Sequence, residues 1–142
     1  MEKLIIAKQA ADLHTNTFTQ MLLYDYLIHN DIDRHIQKIC RVYGHQRNAM
    51  VEALEQHFPE NTDFTRPDGG MFVWMKLSAG VSSMGLFQNA LKHKVAFVPG
   101  DPFYVRNMKV CSTLRLNYSC SEEAGIGEGI KRMAQALKEM AY

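Results

Sequence analysis

Cysteine is scarce in this sequence of 142 residues and badly spaced for cross-linking. Cys40, Cys111 and Cys120 are odd in number and form no C-x-x-C pair, which argues against a disulfide framework and a zinc knuckle and leaves reduced thiols. Its histidines never form H-E-x-x-H, so no metal site is expected. Charge of one sign is equally lacking. Sixteen Lys and Arg stand against 15 Asp and Glu, for a formal net charge of +1, and the two signs are interspersed. Without a basic stripe, neither nucleic acid nor an anionic membrane surface is an expected partner. The longest apolar run near the N-terminus, Leu4–Ala7, falls far short of a signal-peptide core or of the ~20 apolar residues of a membrane span. A soluble, cytoplasmic protein is therefore expected. There is no internal repeat and no low-complexity tract, no serine sits in G-x-S-x-G, and Gly125, Gly127 and Gly129 lie in a helical pattern unsuited to cradling phosphate.

What is present is enough apolar sequence, 46%, for one compact core. Helical periodicity starts at Leu4, Ile5, Lys8 and Ala11 and breaks at Thr15, Asn16 and Thr17, which are N-cap candidates for a second helix from Phe18 to His29. That helix is apolar around most of its circumference, so it expects cover on more than one side. Asn30 and Asp31 are caps for one long helix whose apolar positions recur from Ile32 through Ile36, Ile39, Tyr43, Met50, Ala53 and Leu54 to Phe58, with Pro59 at its end. Gly44 within it is compatible with close packing.

The second half reads as strands and helices in alternation. "MFVWMKL" after "RPDGG" is a strand, and its apolar residues on both faces predict burial on both sides. Ser82 or Ser83 caps a short helix whose Met84, Phe87 and Leu91 share a face; the strand "VAFV" follows and stops at Pro99 and Gly100. "STLRLNYS" alternates, placing Leu114, Leu116 and Tyr118 on one face and Thr113, Arg115 and Asn117 on the other. Ser119 and Glu122 have capping-box spacing, and Ile126, Ile130, Met133, Leu137 and Met140 stripe the last helix. The fold class is α/β (α+β): a small sheet of about three strands with helices laid against it in two or three layers.

Arg115 is the residue that pattern alone leaves open. It is either an arginine on the outer face of a strand, which burial preferences favour, or a clamp whose planar guanidinium offers paired donors to a carboxylate or phosphate. Pro99–Gly100 is similarly either a plain turn, again favoured, or a place where backbone N–H groups approach a ligand. Gly69–Gly70 is either a place where backbone approaches a neighbour closely or, as favoured, a plain turn into the strand.

Taken in order, "AKQAADLHTNTFTQ", "RPDGGMFVWMKL", "VAFVPGDPFY" and "LRLNYS", followed by an acidic cap and an amphipathic helix, resemble the C-terminal part of fold-type I pyridoxal-phosphate aminotransferases. The likeness is strongest to the 2-aminoadipate, kynurenine and aromatic amino-acid subgroup, and it covers essentially the whole chain. The resemblance implies that Arg115 binds the substrate α-carboxylate. It makes Phe103, Pro99 and Gly100 lesser substrate-site candidates and Tyr104 a weaker one. It also implies residues 1–30 from the large domain or interdomain link, residues 31–142 as the small domain, and a homodimeric full-length enzyme acting on amino acids and 2-oxo acids. The family's S-x-S-K-like lysine segment, its asparagine-proline motif and its ring-pairing aspartate have no counterpart here. The expectation is a C-terminal portion that does not bind pyridoxal 5'-phosphate or transaminate alone, and that self-associates through Phe18, Met21, Leu22, Leu23, Tyr24 and Tyr26. The alternative is the aminotransferase-like ligand-sensing domain of a transcription regulator.

Overall fold

The computed structural model describes residues 1–60, 62–105 and 110–140. The elements run α1 (Glu2–Ala11), α2 (Thr17–His29), α3 (Ile32–His57), β1 (Asp63–Phe64), β2 (Phe72–Lys76), α4 (Ser83–Lys92), β3 (Val98–Pro99), a 3-10 turn (Asp101–Phe103), β4 (Thr113–Asn117) and α5 (Glu123–Glu139). They form two compact units, Met1–Lys38 and Ile39–Tyr142, with the division falling inside α3.

In the first unit, Asn16 is the cap that forms: its side chain accepts from Thr19 N at 3.0 Å and satisfies an orphan donor of α2. Asp31 does the same for α3, accepting from Arg34 N at 2.9 Å. Neither α1 nor α2 buries a residue, and Phe18, Met21, Leu22 and Tyr24 stand in solvent. An apolar surface of that extent normally meets a partner surface.

The second unit holds the core. Its sheet is antiparallel with order β1-β2-β4-β3, and β4 in the interior pairs with β2 and β3. Val73 and Met75 of β2 and Leu114 and Leu116 of β4 point to one face, where they meet Met50, Ala53 and Leu54 of α3, Leu86 and Ala90 of α4, and Ile126, Ile130 and Met133 of α5. Leu54, Leu86 and Leu114 are fully buried, each stabilising the fold by about 1.5–3 kcal/mol through removal of apolar surface from water.

Several expectations are corrected by this arrangement. The sheet has four strands, because the two-residue β1, too short to show alternation, pairs Asp63 with Lys76 and Phe64 with Met75. β2 is covered on one side only: Val73 and Met75 are buried, whereas Phe72 and Trp74 are half-exposed on the other face. In α4 the inward face is Ser83, Leu86 and Ala90; Met84 and Leu91 are largely exposed, so the buried stripe is offset from the one the apolar spacing suggested. Pro99 does not stop β3 but belongs to it, paired with Leu114, which an edge strand tolerates because its outer side needs no donor. Val95 and Phe97 pack against or within the core outside any strand. The capping box at α5 does not form: Glu122 is the N-cap without a side-chain bond, and Ser119 N and Oγ both donate to Asn117 Oδ1 instead, at 2.8 and 3.0 Å. This local turn competes for the serine. Nothing lies within 4 Å of a Cβ added to Gly44, so no close packing explains that glycine. No helix among the described residues is long and apolar enough to cross a membrane.

Candidate functional site

The site is built from the uncovered sheet face. Residues directly opposite each other in an antiparallel pair project to the same side. Arg115 of β4 faces Trp74 across one edge and Val98 across the other, so these three share the uncovered face with Phe72, two residues before Trp74. Pro99 pairs with the buried Leu114 and therefore belongs to the helix-backed side.

Before β2, the chain must turn sharply, and Gly70 adopts φ +89, a conformation open to glycine and costly for other residues. Arg47 of α3 ties this turn down, donating from Nη1 to Pro67 O at 3.2 Å and Asp68 O at 3.1 Å. Tyr118 donates its hydroxyl to Gly69 O at 3.4 Å; burial pushes that phenol above its usual range, with the positive charge of Arg47 offsetting part of the shift. These contacts fix where β2 starts and hence where Phe72 stands.

On the opposite side, Gly100 brings the 3-10 turn against β4. Its N–H donates to Thr113 O at 2.7 Å, and a Cβ there would lie 2.6 Å from the same carbonyl oxygen and collide with the Thr113 hydroxyl. The close neighbour that demands glycine is thus a strand of this chain. Ser83 Oγ donates to Asp101 Oδ2 at 3.3 Å, and the hydroxyls of Tyr104 and Thr113 lie 3.1 Å apart. So anchored, the turn carries Phe103 back over the sheet. Its ring meets Trp74 edge to face, with centroids 5.3 Å apart and planes at 89°.

Arg115 ends against two aromatic rings. Its guanidinium carbon lies 4.1 Å from the centroid of Phe72 and 5.0 Å from that of Phe103. Among the described residues no carboxylate forms an ion pair with it and no acceptor takes its N–H groups. A guanidinium held in cation–π contact, with its N–H donors unpartnered among the described residues, can bind a planar anion by two parallel hydrogen bonds.

The structure therefore gathers Arg115 and Phe103, places Gly100 beneath them as a hinge against Thr113, puts Pro99 on the other side of the sheet, and gives Tyr104 to the Thr113 hydroxyl. Phe72 and Trp74, which apolar content alone assigned to a doubly buried strand, belong to the same group. The alternation Phe72–Val73–Trp74–Met75 was the signal for them. No cluster of three or more His, Cys, Asp or Glu suited to a metal occurs among the described residues. A pyridine-phosphate cofactor does not fit the described residues of this face either. Beside the guanidinium it offers aromatic rings but no nest of N–H donors for a phosphate, and its lysine and carboxylate, Lys76 and Asp63, face each other across β1 and β2 at the far end of β2 from Phe72.

A helix-backed antiparallel sheet with this arginine face places the chain among the aminotransferases: the model of the family "Aminotransferase class I and II" matches residues 4–133, and the chain belongs to that family. It is 45% identical over 138 residues to the 2-aminoadipate transaminase of Thermus thermophilus, a match covering 97% of this chain and 34% of that protein. It is 42% identical to the aromatic-amino-acid aminotransferase 1 of Thermococcus litoralis, over 98% of this chain and 33% of that one. The crystal structure of alpha-aminoadipate aminotransferase from Thermus thermophilus, complexed with N-(5'-phosphopyridoxyl)-L-leucine, superposes with a TM-score of 0.84 at 44% identity, covering 99% of this chain and 36% of that one. The chain thus spans about a third of the length of the relatives it matches. A helix-turn-helix-type transcriptional regulator of Staphylococcus aureus matches at 25% identity over 99% of the chain.

Proposed function

We propose that this chain is the small-domain portion of a pyridoxal-phosphate-dependent aminotransferase that moves an amino group between an amino acid and a 2-oxo acid, and that Arg115 binds the substrate α-carboxylate. The observation that carries the reading is the guanidinium in cation–π contact with both Phe72 and Phe103 and with its N–H groups unpartnered among the described residues. Every amino acid and every 2-oxo acid presents a planar carboxylate at the same place, so one fixed guanidinium orients both half-reactions. Its role is orientation and it moves no proton. The cofactor supplies the electron sink for the chemistry and is held by the remainder of the protein. Phe103 contributes to this site directly, Gly100 by bringing the turn against β4, and Pro99 through the path of β3.

Residues 31–142 form the small domain in this reading, and residues 1–30 belong with the large domain or the link to it. The apolar surfaces of α1 and α2 are then covered by the rest of the enzyme, which works as a homodimer in the cytoplasm. Alone, the chain self-associates through those helices; monomeric light scattering at high concentration would contradict this. Alone, it also neither takes up pyridoxal phosphate stoichiometrically nor turns over an amino acid with 2-oxoglutarate, and either result would count against the assignment.

The decisive experiment is Arg115→Ala in the full-length protein. Leaving a carboxylate without its charged partner costs on the order of 2–5 kcal/mol, so kcat/KM should fall by roughly 30-fold or more for every α-carboxylate substrate. Unchanged kinetics would remove the assigned role. The regulator reading keeps the same carboxylate site but uses it to sense a ligand. It draws on the 25% match, lower than the 45% match to a transaminase, and a helix-turn-helix segment at the start of the full reading frame would favour it.

A further inference from the structure

We infer that Phe72 and Phe103 are positioning residues for Arg115: their cation–π contacts hold its guanidinium in place, so that its N–H donors are presented to the substrate carboxylate. This inference rests on the carboxylate role proposed above and goes beyond it. An arginine on an open strand face has four rotatable side-chain bonds, and a free guanidinium would sample many planes at a large entropic cost to each bidentate contact. Here two rings contact the guanidinium, with centroids 4.1 and 5.0 Å from its carbon, and restrict its movement. Their negative faces attract the cation and displace water where they touch it. Its N–H donors, unpartnered among the described residues, remain to bind a carboxylate by paired hydrogen bonds. Binding then spends little on ordering the side chain, which is how preorganisation raises affinity.

Each ring is held independently of the arginine. Phe72 is set by the β2–β4 register, facing Asn117, and by the turn that Arg47 secures. Phe103 is set by the 3-10 turn, which Gly100 ties to Thr113, and by its edge-to-face contact with Trp74. Trp74 is itself the cross-strand partner of Arg115. Phe72 is therefore held by the sheet and Phe103 by the turn.

The competing role for exposed rings at a substrate site is to line the pocket for the amino-acid side chain, and the two roles have different kinetic signatures. A ring that orients the arginine acts on the group common to all substrates; a ring that lines the pocket acts on the group that differs. The test compares Phe72→Leu, Phe103→Leu and Phe103→Tyr in the full-length protein on amino acids with acidic, aliphatic and aromatic side chains. Loss of one cation–ring contact should lower kcat/KM about tenfold. The fall should appear in KM and be equal for all substrates, and Phe103→Tyr should restore the wild-type value. An NMR readout accompanies it: the Arg115 Nε–Hε proton should be displaced by the aromatic ring currents, keep that displacement in Phe103→Tyr and lose much of it in Phe103→Leu. A loss that depends on the substrate side chain overturns the inference, as do Leu variants with wild-type kinetics when Arg115→Ala is impaired. If Arg115→Ala itself is harmless, the underlying carboxylate reading has failed, which is a separate outcome. Should Phe72→Leu lower the melting temperature too far for assay, Phe103→Leu decides the matter, because that ring is half-exposed and outside the core.

Discussion

Replacing Gly100 by alanine should destabilise the second unit for a steric reason that no ligand enters. The backbone at Gly100 has φ −76 and ψ −14, a conformation that alanine adopts freely, so backbone strain contributes nothing. The cost comes from the new Cβ, which would sit 2.6 Å from the Thr113 carbonyl oxygen, 2.9 Å from its carbonyl carbon, and against its hydroxyl. Two of these three neighbours are backbone of the interior strand β4 and cannot swing away. Relief requires the 3-10 turn to move outward, which breaks the 2.7 Å bond from Gly100 N to Thr113 O and loosens the Tyr104–Thr113 hydroxyl contact. Overpacking costs about 1–3 kcal/mol and loss of a backbone hydrogen bond about 1 kcal/mol more, so Gly100→Ala should lose roughly 2–4 kcal/mol. For a unit of this size that lowers Tm by on the order of 10 °C. The single tryptophan, Trp74 on β2, reports unfolding of this unit by fluorescence in urea or heat. Thr113→Ala should not rescue the variant, because it removes the hydroxyl and leaves the carbonyl. A Gly100→Ala chain whose stability lies within measurement error of wild type would refute the steric account.

The remaining expectations are narrower. Ser82→Ala removes the side-chain oxygen that accepts from Gly85 N at 3.2 Å at the start of α4; it should cost about 1 kcal/mol in urea unfolding, whereas Ser82→Asp should retain most of the stability. Glu139 on α5 accepts from His93 Nε2 at 2.9 Å and from Gln135, and these hydrogen bonds hold its carboxyl below the ordinary glutamate value. The contribution of this depressed group is present above the ordinary glutamate value and is lost as pH falls through the depressed one. A carboxyl-carbon NMR titration should show its midpoint rise toward the ordinary value in His93→Ala, and an unchanged midpoint would show that the histidine is not the cause.

Helix positions were legible in the sequence because each is written locally. The stripe Ile126, Ile130 and Met133 is buried as the 3.6-residue period requires, and Asn16, Asp31 and Ser82 cap the helices they precede. β4 was legible for the same kind of reason, since strict alternation separates Leu114 and Leu116 from Arg115. β1 was not, because two residues carry no period and only their pairing with Lys76 and Met75 makes them a strand. Nor was the cap of α5, where Asn117 took the bonds that Ser119 would have given the helix.

By itself the sequence determined that Arg115 leaves the sheet opposite the leucines, since alternation in an extended chain allows nothing else. It also carried the family membership: the chain is 45% identical over 138 residues to a transaminase. Only the tertiary structure decided what surrounds that arginine. Phe72 lies 43 residues before Arg115 and Phe103 12 before it, and no local rule relates their rings to its guanidinium. They meet there because β2 pairs with β4 in one register and because a glycine lets the turn after β3 close on Thr113. A shift of one residue in that register would send Phe72 and Trp74 into the helical layer and take the Phe72 ring away from the cation.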